Sequence, residues 1–174
     1  MTLAVLMAFL PTVFLFHDFE EIILMRRFLD RNGSELATRY PWLRKLLSGT
    51  MSNLSTAGFA LSVFVIFLAI TLATVLSLLL DLPWLWFAAF SVLSVHFVLH
   101  ILSVIVYGKY APVLITSVLA LPYSVYTGVK FFAAYPFSWS AVILWFALGL
   151  VISAAVMRLT FAAGLRFERW LRAD

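Results

Sequence analysis

Five long apolar stretches separated by short polar breaks dominate the chain. Each stretch is close to the roughly 20 residues that a helix needs to cross the hydrocarbon core of a bilayer. Because backbone polar groups in lipid must be satisfied within their own segment, we expect all five to be α-helices. The predicted spans are residues 3–25, 56–80, 84–106, 111–132 and 139–159, and the fifth is expected to continue as a helix to the C-terminus.

The connections between the predicted spans are three tight turns and one long loop. The turns fall at residues 81–83, 107–110 and 134–136, and Pro83 suits the first position of a helix. The long connection covers residues 26–55, and its 41–47 portion has the pattern of a short amphipathic helix at the membrane interface. The sequence therefore predicts an all-α membrane bundle that forms one transmembrane domain over residues 1–174.

The composition supports this class and excludes several others. Apolar residues make up 64% of the chain and charged residues only 11%, which excludes an ordinary soluble globule and a disordered chain. Because there are no cysteines, disulfides, thiolate metal sites and cysteine nucleophiles are excluded as well. The net charge of +4 is read as a topology signal, so no nucleic-acid partner is expected.

The distribution of the basic residues predicts an orientation. With five spans, eleven of the twelve lysines and arginines fall on one side, and only Lys130 falls on the other. The positive-inside rule then places the N-terminus outside and the C-terminus and the 26–55 loop in the cytoplasm, in a multi-pass protein of the inner membrane. A cleaved signal peptide is the alternative for the first stretch, but that stretch lacks a basic start and a small-residue cleavage pattern.

Ionisable residues inside the predicted spans are the most informative chemistry. Such groups cost about 2.5–3.5 kcal/mol each at the centre of a membrane helix, and they usually face a cavity or a partner. At about 100° per residue, Glu20 lies about 60° to one side of His17 and Glu21 about 40° to the other, whereas Asp18 points about 100° away. In the third span, His96 and His100 share one helix face at i, i+4 spacing.

The two groups are predicted to lie at nearly the same depth. Spans one and three run in the same direction, and at about 1.5 Å per residue both groups fall in the inner half of the bilayer. If these helices are neighbours, His17, Glu20 and Glu21 converge with His96 and His100. Imidazoles and carboxylates are ligands for a divalent metal, zinc first, with iron or manganese as alternatives. The competing interpretation is a buried ion-pair network that only fixes helix packing.

The residues His17-Asp18-Phe19-Glu20-Glu21 on a first membrane helix resemble the signature of the HXXEE family of small integral membrane proteins. That family is described by this motif, a further histidine and a Tyr-x-Pro-Gly motif. Either His96 or His100 matches the histidine. Tyr110-Ala111-Pro112-Val113 is similar to the third element, with valine in place of glycine. The resemblance implies a shared site and carries no known reaction.

The leading hypothesis is a metal-dependent membrane hydrolase with a lipophilic substrate. His17 and one or both of His96 and His100 would bind the metal ion; one of Glu20 and Glu21 would complete the ligands and the other would act as general base. Two alternatives stay open. The Glu20-Glu21 pair followed by Arg26 is similar to metal-free, glutamate-dependent intramembrane proteases. A proton- or ion-coupled carrier would use the same groups, and a homodimer would supply the inverted repeat that five spans lack.

Overall fold

Helices form the framework of the protein in a computed structural model that describes residues 1–45, 47, 53–136 and 138–173. Within these residues every regular element is helical, which confirms the all-α class. Five helical stretches are long and apolar enough to cross a membrane, with α1 and α2 together forming the first. The helices are α1 (Leu3–Ala8), α2 (Leu10–Arg39), α3 (Thr56–Leu79), α4 (Pro83–Tyr107), α5 (Leu114–Ala134) and α6 (Trp139–Leu171).

The first long helix extends further than the hydropathy pattern predicts. Residues 26–39, assigned above to the long loop, are helical because α2 ends only at Arg39. Contacts with the end of α4 hold this extension: the Arg39 guanidinium donates to the Tyr107 carbonyl over 2.8 Å, and Lys109 pairs with Glu35 at 2.7 Å. Of the amphipathic helix predicted over 41–47, residues 41–43 form a 3-10 turn, 44 and 45 are helical, and residue 46 lies outside the described residues.

A proline separates α1 from α2 and frees a carbonyl group. Pro11 has no N–H, so it cannot donate to the carbonyl of Met7 four residues earlier. The indole N–H of Trp86 donates to that carbonyl instead, over 3.1 Å. Trp86 is fully buried and stacks on Phe90 with ring centroids 4.5 Å apart. The break in the first stretch is therefore a contact point between α1 and α4.

Serine residues are the N-caps of α3 and α6. The Ser55 hydroxyl accepts from the Gly58 N–H over 3.2 Å, and the Ser138 hydroxyl accepts from the Ala141 N–H over 3.5 Å. Such N-caps satisfy one of the free N–H groups in a helix's first turn. The Glu168 carboxylate also accepts from the Ser55 N–H over 3.0 Å, which joins the end of α6 to the start of α3.

Small residues let α6 approach both α3 and α4. A Cβ atom on Gly149 would lie 2.5 Å from the Ala88 carbonyl oxygen, and one on Gly164 would lie 2.7 Å from the Ser62 hydroxyl. Close backbone approach through small residues is a usual mode of helix packing in membranes. The contacts of α2 with α3 and α5, and of α4 with α5, complete the bundle. A cavity lies between α2, α3, α4 and α6.

Candidate metal centre

Three histidines converge between α2, α4 and α5. The ring centroid of His17 lies 5.3 Å from that of His96 and 5.3 Å from that of His100. The His96 and His100 rings, one turn apart on α4, have centroids separated by 4.2 Å. One ring nitrogen from each histidine lies within 4.8 Å of the other two. The structure therefore brings together the histidines that the sequence placed at one depth.

The spacing of the ring nitrogens is close to that of a metal site. The Nε2 atoms of His96 and His100 lie 2.9 Å apart, a hydrogen-bond distance. Two nitrogens bound tetrahedrally to zinc at about 2.0–2.1 Å would lie about 3.3 Å apart. Moderate side-chain movements, opening the His96–His100 pair and bringing His17 closer, would therefore satisfy one ion. Two half-buried imidazoles and one fully buried imidazole supply the three nitrogens.

The hydroxyls of α5 fix the orientation of His17. Its Nδ1 lies 3.3 Å from Thr116 Oγ1 and 3.5 Å from Ser117 Oγ. Thr116 Oγ1 donates to the Glu20 carboxylate over 2.7 Å, so its lone pairs are available to a proton on His17 Nδ1. With the proton on Nδ1, the lone pair lies on His17 Nε2, which is buried and has no hydrogen-bond partner among the described residues. Metal-binding histidines are commonly oriented by such a bond through their other nitrogen.

Glu20 lies on the α5 side of the motif and is held by three donors. Its carboxylate accepts from the Tyr110 hydroxyl over 2.5 Å and from the Thr116 N–H over 2.9 Å, besides the Thr116 hydroxyl. The Thr116 N–H belongs to the first turn of α5, where free N–H groups favour an anion. Among the described residues, the close group of ligand atoms contains the three histidines without either glutamate. The assignment of a glutamate as a ligand stays a prediction.

Glu21 and Asp18 lie at the cavity between α2, α3, α4 and α6, which has a volume of about 260 Å³. Both residues line this cavity together with His96, so the cavity reaches the histidine group. Asp18 is only 4% exposed, and its Oδ1 has no hydrogen-bond partner in the described part of the chain. On a helical wheel Asp18 points about 100° away from His17, and it was therefore not predicted to join the site. The charge of Asp18 could have identified it as a candidate site residue, since a carboxyl group inside a membrane helix usually faces a cavity or a partner.

Tyr110 is the donor that connects the loop before α5 to the motif on α2. Burial raises the pKa of its hydroxyl to about 12, and the hydrogen bond and negative charge of Glu20 act in the same direction. Tyr110 therefore keeps its proton, and remains a donor to Glu20, throughout the physiological range. The hydrogen bond from Tyr110 to Glu20 thus joins the segment before α5 to the helix that contains His17.

Residues 8–127 match the family described as "Protein of unknown function with HXXEE motif". The chain belongs to the HXXEE family. The matched range contains His17, Glu20 and Glu21, the α4 histidines and Tyr110. No curated protein and no solved structure matches the HXXEE chain.

The one departure from the family's Tyr-x-Pro-Gly motif has a backbone consequence. Val113 occupies the glycine position of this HXXEE protein with a φ of 69°, in the left-handed region that glycine adopts without strain. This turn directs the chain into α5, which begins at Leu114 instead of near the predicted residue 111. In this chain the residue after Pro112 adopts a left-handed turn conformation, and Val113 does so at a conformational cost.

Proposed function

We propose that the HXXEE protein binds one divalent metal ion, zinc first with iron or manganese as alternatives, through His17, His96 and His100. The observation that carries this proposal is the convergence of three histidines, with one ring nitrogen from each within 4.8 Å of the other two. His17 Nε2 is also buried and has no hydrogen-bond partner among the described residues. Three histidines with a free fourth position are the ligand set of a catalytic zinc site. A buried imidazole nitrogen without a partner is costly unless something binds it.

The reaction that fits this site best is hydrolysis of an ester or amide bond in a lipophilic substrate. The cavity beside His96 is lined mostly by apolar side chains and would hold the substrate's hydrocarbon part. The metal ion would act as a Lewis acid that lowers the pKa of water. Glu21, on the cavity wall, would take a proton from water as the water oxygen adds to the acyl carbon. The bond to the leaving group then breaks, and the leaving group takes that proton.

Glu20 has a different role in this proposal. Its carboxylate is bound to Tyr110 and Thr116, and the Thr116 hydroxyl lies between it and His17. Glu20 is therefore a positioning residue that orients the His17 ring through Thr116. This division of roles follows from the helix geometry, since Glu20 and Glu21 are about 100° apart around α2.

The membrane arrangement is part of the same proposal. The chain would cross the inner membrane five times, with the N-terminus outside and the C-terminus in the cytoplasm. Five apolar helices and the position of eleven basic residues on one side support this topology. The metal site would then lie in the cytoplasmic half of the bilayer, where a substrate could enter from the lipid or from the cytoplasmic side.

Elemental analysis of protein purified without chelators tests the metal site. We expect about one divalent ion per chain in the wild type and its loss in His17→Ala, because a three-ligand site loses a third of its donors. Glu35→Gln is the control, since Glu35 pairs with Lys109 away from the histidines. Hydrolysis of alkyl p-nitrophenyl esters should disappear in His17→Ala and Glu21→Gln.

The metal proposal is wrong if the wild type holds no metal after purification and none after equilibrium dialysis against zinc, iron or manganese. Ester hydrolysis that depends on Glu21 in such metal-free protein would favour the glutamate-dependent hydrolase. Proton or substrate flux in proteoliposomes that Glu20→Gln abolishes would favour the carrier.

A further inference from the structure

The cavity between α2, α3, α4 and α6 has one polar end and one apolar end. Ser62 on α3 donates a hydrogen bond to the Thr160 carbonyl of α6, and both residues line the cavity at the level where Asp18, Glu21 and His96 enter it. The opposite end is lined by Ala73, Leu85, Ala88 and Gly149. From Leu85 to His96 the wall formed by α4 is roughly 16 Å long at 1.5 Å per residue. A long space with a polar end fits a single-chain amphiphile.

The acidic residues at the polar end indicate which head group that amphiphile would have. Two carboxyl side chains, Asp18 and Glu21, line the cavity, and its described lining residues include no lysine or arginine. Asp18, which lines this cavity, is 4% exposed, and its Oδ1 has no hydrogen-bond donor among the described residues. A carboxylate in a low-dielectric site is stabilised by an opposite charge that also donates hydrogen bonds. A cation with N–H groups would supply both the opposite charge and the hydrogen-bond donor that Asp18 lacks.

A second metal ion fits this position less well than an organic cation. The group of ligand atoms close enough for a metal consists of the three histidines, and neither Asp18 nor Glu21 belongs to it among the described residues. The apolar walls beyond the two carboxyl groups also require an occupant with a hydrocarbon part.

We propose that the cavity binds a single-chain lipophilic amine, with its ammonium group at Asp18 and Glu21 and its chain between α3, α4 and α6. This inference rests on the proposed function in that it names the substrate class of the same site. His96 lies on the cavity wall at the polar end, so the bond that reacts would be close to the ammonium group. Binding of the amine itself requires no metal ion, which allows the two proposals to be tested separately.

Photolabelling in phosphatidylcholine nanodiscs tests the head-group preference. Two probes share a dodecyl chain with a diazirine and differ in the head group, a primary amine or a hydroxyl. At pH 7 the amine is protonated, and a charge-assisted hydrogen bond of about 1.5–3 kcal/mol corresponds to at least about ten-fold stronger labelling. We expect this preference on peptides of α3 and α6 that contain Ile66 and Val156, which line the cavity.

Variants assign the preference to the carboxyl groups. Asp18→Asn should reduce labelling by the amine to the level of the alcohol. Asp30→Asn makes the same chemical change on an exposed part of α2 and should keep the preference. If Asp18→Asn does not give monodisperse protein, Glu21→Gln decides instead. His17→Ala is labelled in parallel, so that a missing metal ion and a missing amine preference are read independently.

Equal labelling by the two probes in the wild type would overturn the proposal. So would an amine preference that persists in both Asp18→Asn and Glu21→Gln, because the head group would then be recognised elsewhere.

Discussion

The Tyr110 hydroxyl donates a hydrogen bond to the Glu20 carboxylate over 2.5 Å, across 90 residues of sequence. This contact joins the His-x-x-Glu-Glu element on α2 to the Tyr-x-Pro element before α5. Glu20 also accepts from Thr116, whose hydroxyl lies beside His17. Motif elements that are separate in the sequence therefore act on one imidazole. Tyr110, Glu20 and Thr116 do not belong to the close group of three histidines.

Removing the Tyr110 hydroxyl should destabilise the protein modestly. Because Tyr110 is 47% exposed, we expect Tyr110→Phe to lower the free energy of unfolding by about 1 kcal/mol in detergent. The pKa of Tyr110 is raised to about 12, so this contribution is fully present below about pH 10 and is lost as the pH rises to about 12. Tyr126→Phe is the control, since Tyr126 is 46% exposed. Equal stability of the two variants at pH 8 would contradict the prediction.

Thr116 should control metal affinity without touching the metal ion. Thr116→Val keeps the shape of the side chain and removes the hydroxyl between Glu20 and His17, so we expect the metal dissociation constant to rise about 10–100-fold. Thr116→Ser keeps the hydroxyl and should retain an affinity near that of the wild type. Competition with a calibrated chelator measures both. If valine and serine weaken binding equally, the hydroxyl does not orient His17.

The sequence predicts most of the fold because hydropathy and helix caps are local signals. All five apolar stretches correspond to helices, and the fifth continues to Leu171 as expected. The extension of α2 to Arg39 was not predicted, since residues 26–39 are polar and the contacts with Tyr107 and Lys109 that support them are long-range. Local hydropathy contains no information about such contacts.

The candidate site was predicted in part. Spacing and depth identified His17, His96 and His100, because residues on one helix face at one level can meet. Spacing alone did not show that α5 would draw Glu20 to one side while Glu21 and Asp18 face a cavity on the other. Thr116 was not assigned a role at the sequence level, because a threonine in an apolar helix is usually a packing residue. These outcomes depend on which helices are neighbours.

Val113 tests the turn that precedes α5. Its φ of 69° is strained for a side chain with a Cβ branch, whereas glycine adopts this value freely. Val113→Gly and Val113→Ala both lose the buried side chain, but only alanine keeps the Cβ strain. We therefore expect the glycine variant to be about 1 kcal/mol more stable than the alanine variant. Thermal unfolding of the two variants side by side measures the difference, and a more stable alanine variant would refute the strained turn.

The contact between α4 and α6 should be sensitive to a single methyl group. A Cβ on Gly149 would lie 2.5 Å from the Ala88 carbonyl oxygen and 2.9 Å from Val92 Cγ2, so the helices would have to separate. We expect Gly149→Ala to cost about 1–3 kcal/mol, as overpacking usually does. Among the described residues, a Cβ on Gly128 would meet only the Phe90 ring, at 3.8 Å. Gly128→Ala should therefore leave stability unchanged or raise it by up to about 1 kcal/mol. Melting temperatures of the two variants in one detergent provide the comparison.

Because Gly149 also lines the cavity, Gly149→Ala should weaken photolabelling by the dodecyl probes as well. A Gly149→Ala protein as stable as Gly128→Ala would show that α6 does not approach α4 this closely.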